Sequence, residues 1–349
     1  MRGARRLGYV PALDGIRGIA IAAVTGLHFF GLSGGSFGVD LFFVLSGFLI
    51  TTLLLEERER WGRISLRGFY ERRARRLLPA VGVVVMMYLV FAAVSPARFG
   101  HAAAIAAAGG LYASNFVRGF AHPDPLNGQP FDHLWSLAEE EQFYLAWPLM
   151  LIWLLHRRAQ RIALGLGILF IALVGYRAGL GFAGAGWPRL KYAPDTHADG
   201  LVLGCLLAFL PRRIPAWAGW LALAIFAACC VVGGQSVAWL VYGLPVVELA
   251  SAALIIAALQ PGRLAQLLSL RPLVWLGVIS YSLYLWQQPA RWLIGWNNPW
   301  PALALTVVFT LFSYYRIEKP FRQRRVRSVR GREAPQDETP IVVAVHALE

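Results

Sequence analysis

The chain is written in long apolar runs separated by short basic or turn-forming stretches. Runs of about 18 to 24 apolar residues are the length that carries a helix across ~30 Å of hydrocarbon. Ten spans are read, at roughly 12–31, 37–55, 77–95, 137–155, 162–182, 197–211, 214–233, 236–259, 273–292 and 299–316. The expected fold class is an all-α polytopic membrane protein with about ten transmembrane helices. His101 to Val117, rich in Ala and Gly, is also apolar enough to span. Counting it would put Arg157 and Arg158 on the wrong side, so residues 101–118 are expected to form a re-entrant or interfacial helix. Pro123, Pro125, Asn127-Gly128 and Pro130 then mark a loop. Residues 1–330 would form one transmembrane domain, and the polar tail 331–349 is expected to be disordered.

The basic residues fall on one side of this pattern. Arg2, Arg5, Arg6, the run from Arg58 to Arg76, Arg157, Arg158, Arg161, Arg212, Arg213, Arg263, Arg271 and the cluster from Arg316 onward share a side. The other side holds Arg98, Arg118, Arg189, Lys191 and Arg291. The positive-inside bias therefore predicts both termini in the cytoplasm. Of 349 residues 57% are hydrophobic and 15% charged, against about 25% charged in a soluble domain. The net charge of +14 sits at the ends of apolar runs, which argues for membrane lipids as neighbours and against nucleic acid. Cys205, Cys229 and Cys230 lie inside apolar runs and are expected to pack. No cleavable signal peptide is expected, because the basic start leads into a full-length first span.

Against that background, ionisable residues inside the spans stand out. Arg17 and His28 are eleven residues apart in the first span. That is just over three helical turns, so they share a face roughly 16 Å long. A short Gly/Ser turn later comes Asp40, which could approach His28 and hold its ring, freeing the other nitrogen as a base. A backbone carbonyl satisfying His28 is the alternative. Glu139, Glu140 and Glu141 enter the fourth span. Glu139 can be solvated at the interface, and at most one of Glu140 and Glu141 can share a pocket with His28, since their directions differ by about 100°. Trp135, Tyr144 and Trp147 suit an interfacial aromatic belt, and Trp135 and Tyr144 are also candidate substrate-binding residues. Asp195 and Asp199, spaced i, i+4 on one helix face, are further substrate-binding candidates. With His197 they match no standard metal spacing, so no metal is expected. On the basic side, Arg73 and Arg76 share a face and can anchor lipid headgroups or clamp a phosphorylated ligand.

Read in order, these motifs resemble the integral-membrane acyltransferase-3 family, O-acyltransferases of bacterial surface glycans, nodulation factors and some macrolides. Leu13-Asp14-Gly15-Ile16-Arg17-Gly18 with His28 matches its Arg-x10-His signature. Phe37 to Thr51 matches the second-span motif, and Phe69 to Pro79 the Arg-x-x-Arg loop that places Arg73 and Arg76. Trp135-Ser136-Leu137 with Glu140-Glu141-Gln142-Phe143-Tyr144 matches the fourth-span motif. Ser280 to Trp286 and Tyr315 to Phe321 match the last two spans. His197 stands where the family often has Arg, and Gln287 where it often has His, so neither is carried over as catalytic. No soluble hydrolase-like domain of the kind fused to some relatives is read here, so the membrane domain alone is expected to reach the acceptor.

The resemblance implies a bacterial plasma-membrane acyltransferase with an acyl-coenzyme A donor, most often acetyl-coenzyme A. The coenzyme phosphates would dock on Arg73 and Arg76, helped by Arg17. The pantetheine arm, roughly 15–20 Å long, would extend along the Arg17–His28 face. His28 would deprotonate an acceptor hydroxyl or carry the acyl group itself, with Asp40, Glu140 or Glu141 orienting it. The acceptor would be a glycan, a lipid-linked sugar or a small-molecule hydroxyl compound. A transporter or flippase of a glycan or lipid-linked substrate is the rival reading.

Overall fold

The computed structural model describes residues 7–93, 96–121, 123–211 and 213–321, with side chains left out at 96–99. Arg2, Arg5, Arg6, Arg212, the side chain of Arg98, the basic residues from Arg322 onward and the tail expected at 331–349 lie outside the described residues.

Every regular element described is helical. The first hairpin shows how the sequence sets its ends. Helix α1 (Pro11–Phe30) opens on a proline, whose missing N–H costs nothing at a first turn, and closes on Gly31 in the left-handed region at φ 69°. Helix α2 (Phe37–Trp61) closes in the same way on Gly62 at φ 67°. Then follow α3 (Leu66–Ala93), α4 (Pro96–Gly110) and α5 (Ser114–Phe120). A 3-10 turn (Asp132–Leu134) leads into α6 (Trp135–Leu154), and α7 (Ala159–Phe182) comes next. Three short helices succeed it, α8 (Trp187–Tyr192), α9 (Pro194–His197) and α10 (Asp199–Leu207). The chain continues through α11 (Ala216–Val232) and α12 (Leu244–Ala258), the latter entered by a wide π turn at Trp239–Gly243. It ends with α13 (Arg263–Leu268), α14 (Arg271–Val278), α15 (Ser280–Ile294) and α16 (Pro299–Phe312), which a second π segment prolongs over Ser313–Glu318.

Six of these helical stretches are long and apolar enough to cross a membrane: Pro11–Phe30, Phe37–Trp61, Leu66–Ala93, Ala159–Phe182, Trp239–Ala258 and Pro299–Phe321. The expectation of about ten is not confirmed, and each remaining segment departs for a physical reason. Helix α6 has the length but carries three glutamates near its start. The span expected at 197–211 breaks at Ala198 between α9 and α10. Helix α11 has 17 residues. The span expected at 273–292 divides at Ile279 between α14 and α15. The Ala/Gly segment is also divided. Its chain turns at Tyr112, which sits at φ 55° between α4 and α5. Those helices have 15 and 7 residues, about 22 and 10 Å, and neither covers ~30 Å alone.

Helix α2 is the centre of the bundle. It packs on α1, α6, α10 and α12, and 78% of its apolar window is buried, against 17% in α7 and 22% in the last long stretch. Leu164, Ile171, Val308 and Phe312 on those outer helices are exposed, as lipid-facing residues are. Small residues let the inner helices touch. A Cβ on Gly47 of α2 would meet the Leu201 carbonyl oxygen of α10 at 2.1 Å, and one on Gly204 would meet that of Val44 at 2.1 Å. In hydrocarbon this van der Waals contact, not the hydrophobic effect, holds helices together. Gly47→Ala and Gly204→Ala are therefore each expected to cost about 1–3 kcal/mol through forced separation. The check is the thermal midpoint of the detergent-solubilised protein, which should fall in both; unchanged midpoints would contradict a backbone-to-backbone crossing.

Candidate active site

Two polar stripes on apolar helices face each other. On α1 the stripe is Arg17, Thr25 and His28, and on α15 it is Ser280, Tyr284, Gln287 and Arg291, at helical spacing. The helices run parallel, so the stripes meet rung by rung. The Arg17 Nη2 donates to Ser280 Oγ at 3.0 Å. Eleven residues further along, His28 Nδ1 lies 2.5 Å from Gln287 Oε1, while Gln287 Nε2 donates to Thr25 Oγ1 at 2.9 Å. With its amide nitrogen committed to Thr25, Gln287 offers its oxygen to His28. That oxygen accepts only from Nδ1–H, so the ring is held in the tautomer whose Nε2 carries the lone pair. A neutral imidazole held this way can take a proton from a hydroxyl.

The inner part of the bundle encloses a cleft bounded by α1, α2, α3, α6 and α15. Arg17, Arg73 and Arg76 contribute to its wall, together with Ser46, Leu49, Glu140, Tyr144, Ser280 and Tyr281. Further along, Val39, Phe42, Phe43, Ser136 and Tyr284 line it. The arginines are held rather than loose. Arg73 Nη2 donates to Glu141 Oε1 at 2.9 Å, and its guanidinium stacks 3.5 Å over the Tyr144 ring. Glu140 accepts from the hydroxyls of Ser46 and, at 3.0 Å, Tyr144. Consecutive positions on α6 thus point to different helices, Glu140 to α2 and Glu141 to α3.

His28 is not part of the cleft lining. It stands beyond Tyr284, whose hydroxyl donates to the His133 carbonyl at 2.5 Å and lies 2.7 Å from Ser136 Oγ. The His133 ring is edge-on to His28 at 6.4 Å. Tyr284 therefore touches both the cleft and the residue that flanks His28. The turn carrying His133 is fastened by Arg118, which bonds the Asp132 carbonyl at 2.6 Å and the Asp124 carboxylate at 2.9 Å. Burial pushes the Asp132 carboxyl up to about 6, with Arg118 opposing the shift.

Several expected neighbours are placed elsewhere. Asp40 does not meet His28. Its Oδ1 lies 2.6 Å from His197 Nε2 and its Oδ2 lies 3.7 Å from Lys191 Nζ. The reason is the tight crossing of α2 and α10, which brings His197 onto the face of α2 that Asp40 occupies. Nor are Glu140 and Glu141 the hydrogen-bond partners of His28; that partner is Gln287, which the resemblance had set aside. Glu139 is not solvated. It is buried, with Asp199, Lys191 and Asp40 as its electrostatic neighbours. Asp195 and Asp199 do not share a helix face, because the helix ends at His197 and restarts at Asp199. Asp195 is exposed and pairs with Arg189 at 2.5 Å, whereas Asp199 is buried against Arg177 at 2.5 Å. Neither lines the cleft, and Trp135 backs it without lining it. Tyr144 does line it. Among the described residues no group of three or more His, Cys, Asp or Glu side chains is placed to hold a metal ion. Sequence reasoning missed Gln287, Tyr284 and Ser280, whose signal was their helical spacing on an otherwise apolar segment.

Comparisons with known proteins place the chain among acetyltransferase relatives. The O-acetyltransferase OatA of Staphylococcus aureus is 34% identical over 351 aligned positions, covering 90% of this chain and 58% of the relative. The peptidoglycan O-acetyltransferase OatA of Listeria monocytogenes is 33% identical over 356, covering 90% of this chain and 56% of the relative. The chain thus spans a little over half the length of these relatives. No solved structure matches it. A family described as an acyltransferase domain matches residues 10–315, from just before α1 to the π segment after α16, and the chain belongs to that family.

Proposed function

We propose that the protein is a membrane-bound O-acetyltransferase. It moves an acetyl group from cytoplasmic acetyl-coenzyme A to a hydroxyl of an extracytoplasmic glycan, with peptidoglycan the acceptor suggested by the names of its relatives. The observation that carries this is the cleft itself: three arginines at one end, and at the other hydroxyls that reach the surroundings of His28. Guanidinium forks suit phosphate oxygens, and along α2 the lining runs from Val39 to Leu49, a rise of about 15 Å. That is close to the reach of a pantetheine arm, roughly 15–20 Å. The positive-inside bias supports a cytoplasmic arginine end in a bacterial plasma membrane. Residues 1–330 act as the transmembrane domain in this reading. A transporter is not favoured, since the chain belongs to an acyltransferase family.

The chemistry is a transfer from thioester to ester. His28 Nε2 takes the acceptor hydroxyl proton as the oxygen attacks the thioester carbonyl carbon. A C–O bond forms, the C–S bond breaks, and the proton passes to the departing thiolate. Gln287, and not Asp40 or the glutamates, orients His28. Ser136, whose hydroxyl lies 2.7 Å from that of Tyr284 at the far end of the cleft, can turn its proton toward the oxygen that gains negative charge, while Tyr284 stays bonded to the His133 carbonyl. Arg73 and Arg76, with Arg17, take the coenzyme phosphates, and Glu141 and Tyr144 hold Arg73 in place. Direct transfer needs no covalent carrier and uses the free Nε2 lone pair of His28 as a base.

Two outcomes follow. In His28→Ala, ester formation should fall on the order of 10²–10⁴-fold while acetyl-coenzyme A binding measured by calorimetry is kept. Wild-type turnover would remove His28 from the mechanism. Arg76→Ala should weaken acetyl-coenzyme A binding about tenfold, the worth of one charge-assisted contact. An unchanged affinity would return this arginine to anchoring lipid.

A further inference from the structure

Far from the arginines the cleft is walled on one side by aromatic rings, and those rings are backed by buried charge. Phe43, 1% exposed, lines the cleft beside Val39 and Phe42. Its ring is edge-on to Trp135 at 6.2 Å and to His197 at 5.9 Å. Trp135 is in turn edge-on to His197 at 5.3 Å and to Tyr192 at 5.2 Å, with Lys191 Nζ 5.0 Å over its ring. Asp40, three residues before Phe43 and so on the same face of α2, joins His197 at 2.6 Å and Lys191 at 3.7 Å. Helix α10 closes the back: a Cβ on Gly200 would meet that of Phe43 at 3.3 Å. The Phe43 ring therefore has packed neighbours behind it that are themselves fixed by ion pairs, and it has nowhere to retreat.

We propose that Phe43 sets the acyl length, with Trp135, His197, Asp40 and Lys191 as positioning residues that hold the ring rigid. The inference rests on the acyl-coenzyme A reading above. A pantetheine arm anchored at the arginines carries its thioester into the part of the cleft that Val39, Phe43 and Tyr284 line. The acyl group carried there packs against the fixed Phe43 ring, which crowds a longer chain more than a short one. Interiors packed this closely yield little, so an added methylene meets a wall rather than a soft pocket. A difference of one methylene is commonly worth roughly 10–200-fold in a shaped apolar site. This gives the Asp40–His197–Lys191 cluster a use although it lies away from His28.

The test compares acetyl-, propionyl- and butyryl-coenzyme A as donors for the purified full chain, reading kcat/KM from thiol release with a glycan acceptor. Wild type should prefer acetyl. Phe43→Ala should raise the butyryl-to-acetyl ratio at least roughly tenfold, the worth of the lost wall. Asp40→Asn should move the ratio the same way by less, through a lower KM for the longer donor. Phe43→Leu supplies the reading if the alanine variant does not elute as folded, monodisperse protein. An unchanged ratio in folded Phe43 variants overturns the assignment. An Asp40→Asn variant that loses every donor equally overturns the positioning role. Failure of wild type to use any acyl-coenzyme A would overturn both this inference and the reading beneath it, and is seen without any variant.

Discussion

The paired stripes of α1 and α15 are the constraint on which the rest depends. An arginine and a histidine on an apolar helix are tolerated only where another element satisfies them. Here one neighbouring helix does so at both levels, Ser280 for Arg17 and Gln287 for His28. The pairing sets the register of α15 against α1. It also sets the histidine tautomer, because the Gln287 amide is oriented by its own bond to Thr25 on α1. The same register aims Tyr284 between the cleft and His133. A polar line from Arg17 to His28 is thus a consequence of satisfying two costly residues with one helix face.

Close approach of backbones makes that line possible. Glycines allow α2 to cross α10, and others bring α14 against α1: a Cβ on Gly18 would overlap the Leu273 carbonyl of α14, and one on Gly277 that of Asp14. With α2 buried at the centre, the face that carries Val39, Phe42, Phe43, Ser46 and Leu49 becomes the floor of the cleft. The buried Arg177–Asp199 and Lys191–Asp40–His197 groups lie behind that floor. Paired charges of this kind add little net stability but resist rearrangement, because breaking one leaves an uncompensated charge.

Much of this was legible in the sequence, and the rest was hidden for identifiable reasons. The shared face of Arg17 and His28 follows from helical periodicity alone, and both side chains indeed reach the same partner helix. The split directions of Glu140 and Glu141 follow from the same geometry. Asp40 was misplaced because nearness along the chain stood in for nearness in space; the contact that decides its partner comes from α9, 157 residues away. Asp195 and Asp199 were misplaced because i, i+4 spacing applies only within one helix, and theirs is interrupted. Gln287 was passed over because the family often has another residue there, although an amide can orient a ring nitrogen as well as a charged group can. The span count suffered from the same limit of hydropathy. An apolar run of the right length does not show where the helix is interrupted, as it is at Ala198 and Ile279.

The central claim is that one chain joins a cytoplasmic thioester to an acceptor on the other side of the membrane. The most direct measurement reconstitutes the full chain in sealed vesicles, with acetyl-coenzyme A labelled in the acetyl group on the arginine side and a peptidoglycan fragment on the histidine side. The account predicts labelled ester on the fragment and free coenzyme A thiol in equal amount, each appearing only when both substrates are present on their own sides. Label crossing the membrane as intact acetyl-coenzyme A, or thiol release that ignores the acceptor, would contradict it.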